Sequence, residues 1–273
     1  MRKRVAYEPN SVMHIREADM TDTSVQPIAE STPGLSQLQR VTNAFAAPAK
    51  TFEDIKQGHT SWWLPFLLFV IVGTGLWATV NSKVTWPTVV ENGLRMAPKQ
   101  AERLQQLPPD QQETQKKYSA MGQKYIWLFA PAFVLLMNVI AAGVLLGTIN
   151  FGFGGRAKFS QVLAVSWYAG LPGLIKLVLG IVGLYAGVAA ESFMPANPAG
   201  TNIAYYLAPP PETNIALWSL CAALDITFIW TLVLFSKGLA KVAGTKPSAG
   251  YTAVFGWWAV YLIISIGLGA AFS

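Results

Sequence analysis

Five stretches of this 273-residue chain are too apolar and too long to rest comfortably in water. They run from about 62 to 80, 125 to 149, 165 to 190, 214 to 235 and 251 to 272. At 1.5 Å per residue even the shortest makes about 28 Å of helix, against a hydrocarbon core of about 30 Å. A backbone in lipid must satisfy its own hydrogen bonds, so such runs become helices. The expected fold is therefore all-α: a polytopic membrane protein with a five-transmembrane-helix bundle and amphipathic interfacial helices. Only 12% of residues are charged, half of the roughly 25% usual in soluble domains. Ten Trp and nine Tyr suit the headgroup boundary, where rings with one polar edge collect.

Residues 1–34 are polar and poor in aromatics, so they bury too little to offset the entropy of ordering and read as a disordered tail. Residues 35–272 form the membrane domain. Its first piece, with Leu35, Leu38, Val41 and Phe45 at helical spacing, is a short amphipathic helix ending before Pro48. Thr51, with Asp54 three residues on, suggests the N-cap of a second short helix carrying Phe52 and Ile55. Trp62 and Trp63 mark an interface, and Pro65 fits a first helical turn, where its missing N–H has no partner. Residues 82–124 are the longest polar insertion and suggest a solvated helical hairpin.

The stretch from Phe151 to Lys176 is the joint of the chain. It opens with Phe-Gly-Phe-Gly-Gly-Arg, passes through Trp167-Tyr168 and breaks at Leu171-Pro172-Gly173. The glycine turn lacks the spacing of a phosphate-binding loop, so Arg156 and Lys158 are expected at an anionic leaflet. Residues 173–190 alone can just span. This favours 158–171 as an amphipathic surface helix hinged at Pro172, with Lys176 reaching back to the headgroups. The alternatives are a deep third helix in which Lys176 meets Asp225 as a structural pair, or a proton or ion path through those two residues.

Loop charge orients the chain. With the N-terminus inside, residues 1–61, 150–160 and 236–250 hold 7, 2 and 3 Lys and Arg; the opposite side holds 7, all in the 82–124 insertion. An internal N-terminus and an external C-terminus follow. The net charge of +6 lies in the tail and loops, so no nucleic-acid partner is expected. Cys221 is the only cysteine and lies in an apolar run, which excludes an intrachain disulfide. His14 and His59 are isolated, so no metal, cofactor or catalytic constellation is expected and the chain does not read as an enzyme. Gly143 and Gly147 form a GxxxG that offers a face for a homo-oligomer.

Two segments carry a family resemblance. Pro48, Thr51-Phe52, Ile55, Trp63 and Pro65 resemble the first signature of the Yip family of multi-pass membrane proteins, and GGRAKFSQVLAVSWYAGLP resembles its second. The resemblance covers roughly residues 40–272. The 82–124 insertion departs from the compact eukaryotic pattern and is more like prokaryotic members. The resemblance implies a scaffold or adaptor with a lipid-bilayer setting and protein partners through the cytosolic N-terminal region; eukaryotic relatives bind Rab-type GTPases and coat components. It implies the cell (inner) membrane for a prokaryotic chain and Golgi or endoplasmic reticulum for a eukaryotic one. The different-class alternative is a small-solute or ion transporter using Lys176 and Asp225.

Overall fold

The computed structural model describes residues 34–210 and 212–272, with side-chain surroundings to Gly267; the tail expected to be disordered, and His14 in it, lies outside the described residues. All regular structure among the described residues is helical, and five segments are long and apolar enough to cross a membrane. The protein is an integral, multi-pass membrane protein. Its lipid-facing surface is plain on the second and fifth spans, where Phe129, Tyr261 and Ile263 are exposed.

Two short helices come first, α1 (Gln37–Ala46) and α2 (Pro48–Lys56). Ser36 caps α1 in a capping box with Gln39. The second helix starts at Pro48, whose fixed φ suits a first helical position, and not at Thr51. Thr51 is instead inside α2, buried, and its hydroxyl donates to Arg40 O at 2.9 Å. The first span, α3 (Trp63–Lys83), leads to α4 (Trp86–Arg95) and α5 (Pro98–Gln105). Then α6 (Pro109–Gly147) runs through the membrane in one piece and ends in a π-helical turn, Thr148–Gly152. We refer to the end of the bundle carrying α1 and α2 as the platform end, and to the end carrying α4 and α5 as the hairpin end.

The joint folds into α7 (Phe159–Ala169) and α8 (Pro172–Tyr185), which together make a 27-residue path. Here the structure corrects the surface-helix expectation. Every residue of α7 from Gln161 to Ala169 is buried, because α1 and α2 cover one side while α6 and α10 close the other. Gln161 and Ser166 are satisfied inside the protein: Gln161 donates to Lys56 O at 3.0 Å, and Ser166 to Leu163 O at 2.8 Å. An amphipathic helix would leave a polar stripe free, and α7 has none.

The fourth apolar run is broken at Leu224–Asp225 into α9 (Ile215–Ala223) and α10 (Ile226–Ala243). Lys237 and Lys241 therefore lie on α10 and not in a basic loop. Gly244, at φ 69°, ends α10 in the left-handed conformation that glycine adopts at least cost. The last span, α11 (Pro247–Phe272), follows. The main core gathers Phe52, Ile55, Ile149, Val162, Trp167, Tyr168 and Leu239 around α7. A second cluster at the hairpin end joins Leu76, Val80, Trp86, Val89, Leu184 and Phe193.

Candidate functional site

The polar residues of the bundle collect at two places. The first surrounds Asp225, which is 3% exposed and caps α10: its Oδ1 accepts from Thr227 N at 2.9 Å, Thr227 Oγ1 at 2.6 Å and Phe228 N at 3.2 Å. Oδ2 accepts from Lys176 Nζ at 2.8 Å, Asn202 Nδ2 at 3.2 Å and the Thr201 hydroxyl. Lys176 thus does not run to the headgroups; its ammonium turns inward to a carboxylate on another span.

The depth of this pair follows from the neighbouring helix. Phe69, six residues into α3, packs beside Gly173, and Gly75, twelve residues in, lies beside Ile181. These contacts put Lys176 about 10–14 Å along α3 from Trp63, a third to a half of the way through a bilayer of about 30 Å.

The connection from α8 to α9 does not stay at the hairpin end. Phe193 sits in the cluster with Val84, Trp86 and Leu184, and its carbonyl accepts from Asn92 Nδ2 at 2.8 Å. Four residues later the chain has descended: Asn197 and Asn202 exchange amide hydrogen bonds at 3.2 and 2.7 Å, and Pro198 lies against Gly180. A Cβ added to Gly180 would stand 2.8 Å from Pro198 Cβ, so glycine is what lets the loop approach α8. Ile226 N donates to Thr201 O at 3.0 Å, which joins the loop to the start of α10. Irregular backbone at this depth survives only where protein satisfies its polar groups, and Asn92, Asn197, Asn202 and Asp225 do so. The loop is re-entrant, and Asp225 holds its lowest point.

The second polar cluster is at the platform end. Arg40, 5% exposed, donates from Nη1 to His59 O at 2.7 Å and Ser61 O at 3.0 Å, from Nη2 to Leu35 O at 3.2 Å, and pairs through Nε with Asp54 at 3.2 Å. Its guanidinium lies 5.7 Å from the centre of the Tyr168 ring, and Tyr168 donates to Ser61 O at 2.9 Å. His59 is not alone: its Nδ1 is 3.0 Å from Asp54 Oδ1. One buried cation thus ties α1, α2, the stretch of chain before α3, and α7 together. Trp62 stacks on Trp167 at 5.7 Å just above it. On the rim of this platform Glu53 pairs with Lys241. That hydrogen bond, set against slight desolvation, holds the Glu53 carboxyl below its ordinary range.

The remaining expected residues take structural places. Phe52 is 2% exposed and fills the contact between α7 and α10, against Val165 and Gly238. Pro65 is buried in the first turn of α3, and Pro172 is buried at the first position of α8. Arg156 and Lys158 have exposed side chains at the platform end. The backbone of their turn is fixed, since Arg156 N donates to Ala243 O at 3.0 Å. Asn150 bridges the same turn, accepting from Ala157 N at 2.9 Å and donating to Ala157 O at 3.0 Å.

Lys176 and Asp225 are therefore brought together, and Arg156 and Lys158 stand apart from them. Sequence reasoning missed Arg40, Asn92, Asn197, Thr201 and Asn202. The only available signal was polar residues with amide or guanidinium groups close to apolar runs, which does not say which will be buried.

The Yip1 domain profile matches residues 42–269, from within α1 to near the end of α11. No curated protein and no solved structure shows significant similarity to the chain.

Proposed function

The chain belongs to the Yip1 domain family, and on that premise we propose that it is a non-enzymatic membrane scaffold or adaptor that acts in membrane organisation or trafficking. The observation that carries this reading is the buried Arg40 cluster. It fixes α1 and α2 as a rigid platform on α7, so that the chain preceding Gly34 is joined to a fixed anchor instead of a floating linker. In this reading the platform end is cytosolic, as the loop charges favour, and protein partners engage the N-terminal region.

The test is crosslinking in cells followed by capture of the full chain, a chain lacking residues 1–33, and Arg40→Ala. Deleting residues 1–60 would be uninformative, because α1 and α2 are part of the core. The expected result is a reproducible partner set lost with residues 1–33 while the melting temperature of the bundle is unchanged. An unchanged partner set in the truncated chain would overturn the adaptor reading.

A transporter reading has one observation in its favour: a broken span with a charged pair at membrane depth, the arrangement that coupling sites use. Against it, both carboxylate oxygens of Asp225 are saturated by fixed donors. A carboxylate so held is suited to locking the loop and poorly suited to cycling protons. Proton flux into vesicles containing the protein, unchanged by Asp225→Asn, is the outcome consistent with the scaffold; flux abolished by that substitution, at a temperature where the variant's melting curve shows it folded, would revive the transporter.

A further inference from the structure

Above the re-entrant loop, at the hairpin end, lies a cavity of about 240 Å³ lined by Arg95, Glu191, Asn197, Tyr205 and Trp218 among others. The volume equals that of about eight waters in the liquid. It is too large to close on a single ion and smaller than the usual drug-sized pocket.

Its charges are arranged in an unusual way. Arg95 donates from Nη1 to the backbone carbonyl of Glu191 at 2.9 Å, which places the two residues side by side on the rim. Yet among the described residues neither side chain has an ion-pair partner within 4.0 Å, and they do not pair with each other. Both residues are exposed at the rim, so a guanidinium and a carboxylate stand at the mouth of one small space. Tyr205 and Trp218 supply aromatic walls. Asn197 reaches the cavity from below and is joined through Asn202 to Asp225.

We propose that this cavity binds a small zwitterion: a phosphate or carboxylate joined by a short linker to an ammonium group. The anion meets Arg95, the ammonium meets Glu191, and the linker lies between the rings. Bidentate geometry makes guanidinium a good phosphate and carboxylate receptor, and an ammonium gains from both a carboxylate and aromatic faces. Two sources carry this chemistry: the headgroup of a phosphatidylethanolamine, and a free zwitterion in the aqueous phase. The proposal does not depend on the scaffold reading.

The test uses the full chain in nanodiscs of phosphatidylglycerol, with the melting temperature as readout. Added phosphoethanolamine is expected to raise it saturably, whereas ethanolamine alone and inorganic phosphate alone at the same concentrations are not. A rise only when phosphatidylethanolamine is built into the disc would assign the lipid as the source. Either response should be lost in Arg95→Gln and in Glu191→Gln; the latter keeps the backbone carbonyl that Arg95 holds, so its fold is preserved. Trp218→Leu, which removes an aromatic wall, should weaken the apparent affinity about fivefold, the worth of one ammonium–aromatic contact. Equal shifts from the single-charge probes, an undiminished response in Glu191→Gln, or no shift from either source would overturn the site.

Discussion

Replacing Asp225 by Asn should destabilise the bundle more than replacing Lys176 by Met, although the two residues form one ion pair. In Asp225→Asn the Lys176 ammonium loses its carboxylate about 10–14 Å into the apolar layer, by the helix rise. Removing one member of a buried pair costs about 3–5 kcal/mol. The Lys176 side chain retains 20% exposure, which gives it partial relief and places the loss near about 3 kcal/mol. In Lys176→Met the carboxylate still accepts from Thr201, Asn202, the Thr227 hydroxyl and two backbone N–H groups. What disappears is one charge-assisted hydrogen bond, about 1.5–2 kcal/mol. The double variant buries no unpaired charge and should be more stable than Asp225→Asn alone by about 1 kcal/mol or more. Urea unfolding in mixed micelles, followed by tryptophan fluorescence, measures all three. If Lys176→Met is the more damaging, or if the double variant equals the sum of the singles, the pair is not the lock described above.

Arg40→Ala should cost about 3–5 kcal/mol, because it removes the cation paired with the buried Asp54 and leaves the His59 carbonyl without its side-chain donor; Arg40→Lys should recover only part of this, since an ammonium cannot reproduce the planar fork. Gly238→Ala puts a Cβ 2.5 Å from Val165 Cγ1 and 2.9 Å from the Phe52 ring, an overpacking worth about 1–3 kcal/mol that a melting curve reads directly. The Glu53–Lys241 pair adds a small pH dependence. The Glu53 pKa is lower folded than unfolded, so its contribution is present above the ordinary carboxylate range of about 4.3 and lost as pH falls through the folded value. Both side chains are more than two-fifths exposed, so the effect stays under about 1 kcal/mol; Glu53→Gln should flatten that part of the stability profile, and 1 M salt should do the same to the parent.

Length and hydropathy made the five spans legible, because a run such as 125–149 has no alternative to a helix in lipid. Family signatures were legible for the same reason that they recur: Pro48 and Pro65 start helices, and Phe52 fills the α7–α10 contact. The joint was misjudged because burial was read from α7 alone. Trp167 and Tyr168 look interfacial in sequence, but both are at most 1% exposed, since α1 and α2 fold back over them from more than a hundred residues earlier. The same limit hid the re-entrant loop. Nothing in Asn197-Pro198 or Thr201-Asn202 announces descent into the membrane; it depends on Gly180 leaving room and on Asp225 supplying the acceptor, both on other helices. The Lys176–Asp225 pair could be named as an alternative from two charges in apolar runs. Choosing it required knowing that α8 and α10 are neighbours.

The central claim, that the loop between α8 and α9 descends beside α8 to the Lys176–Asp225 level, is open to one direct measurement. In a Cys221→Ser background, Gly180→Cys and Pro198→Cys set two Cβ atoms 2.8 Å apart on the observed backbone, so the loop and α8 need to part by only about 1 Å to reach the separation of about 3.5–4.5 Å in a disulfide. Mild oxidation in intact membranes should link the two introduced thiols nearly completely. In the Pro198→Cys single variant, the thiol should stay closed to a membrane-impermeant maleimide. Absence of the link, with the loop thiol labelled freely, would place the loop at the surface and contradict the account.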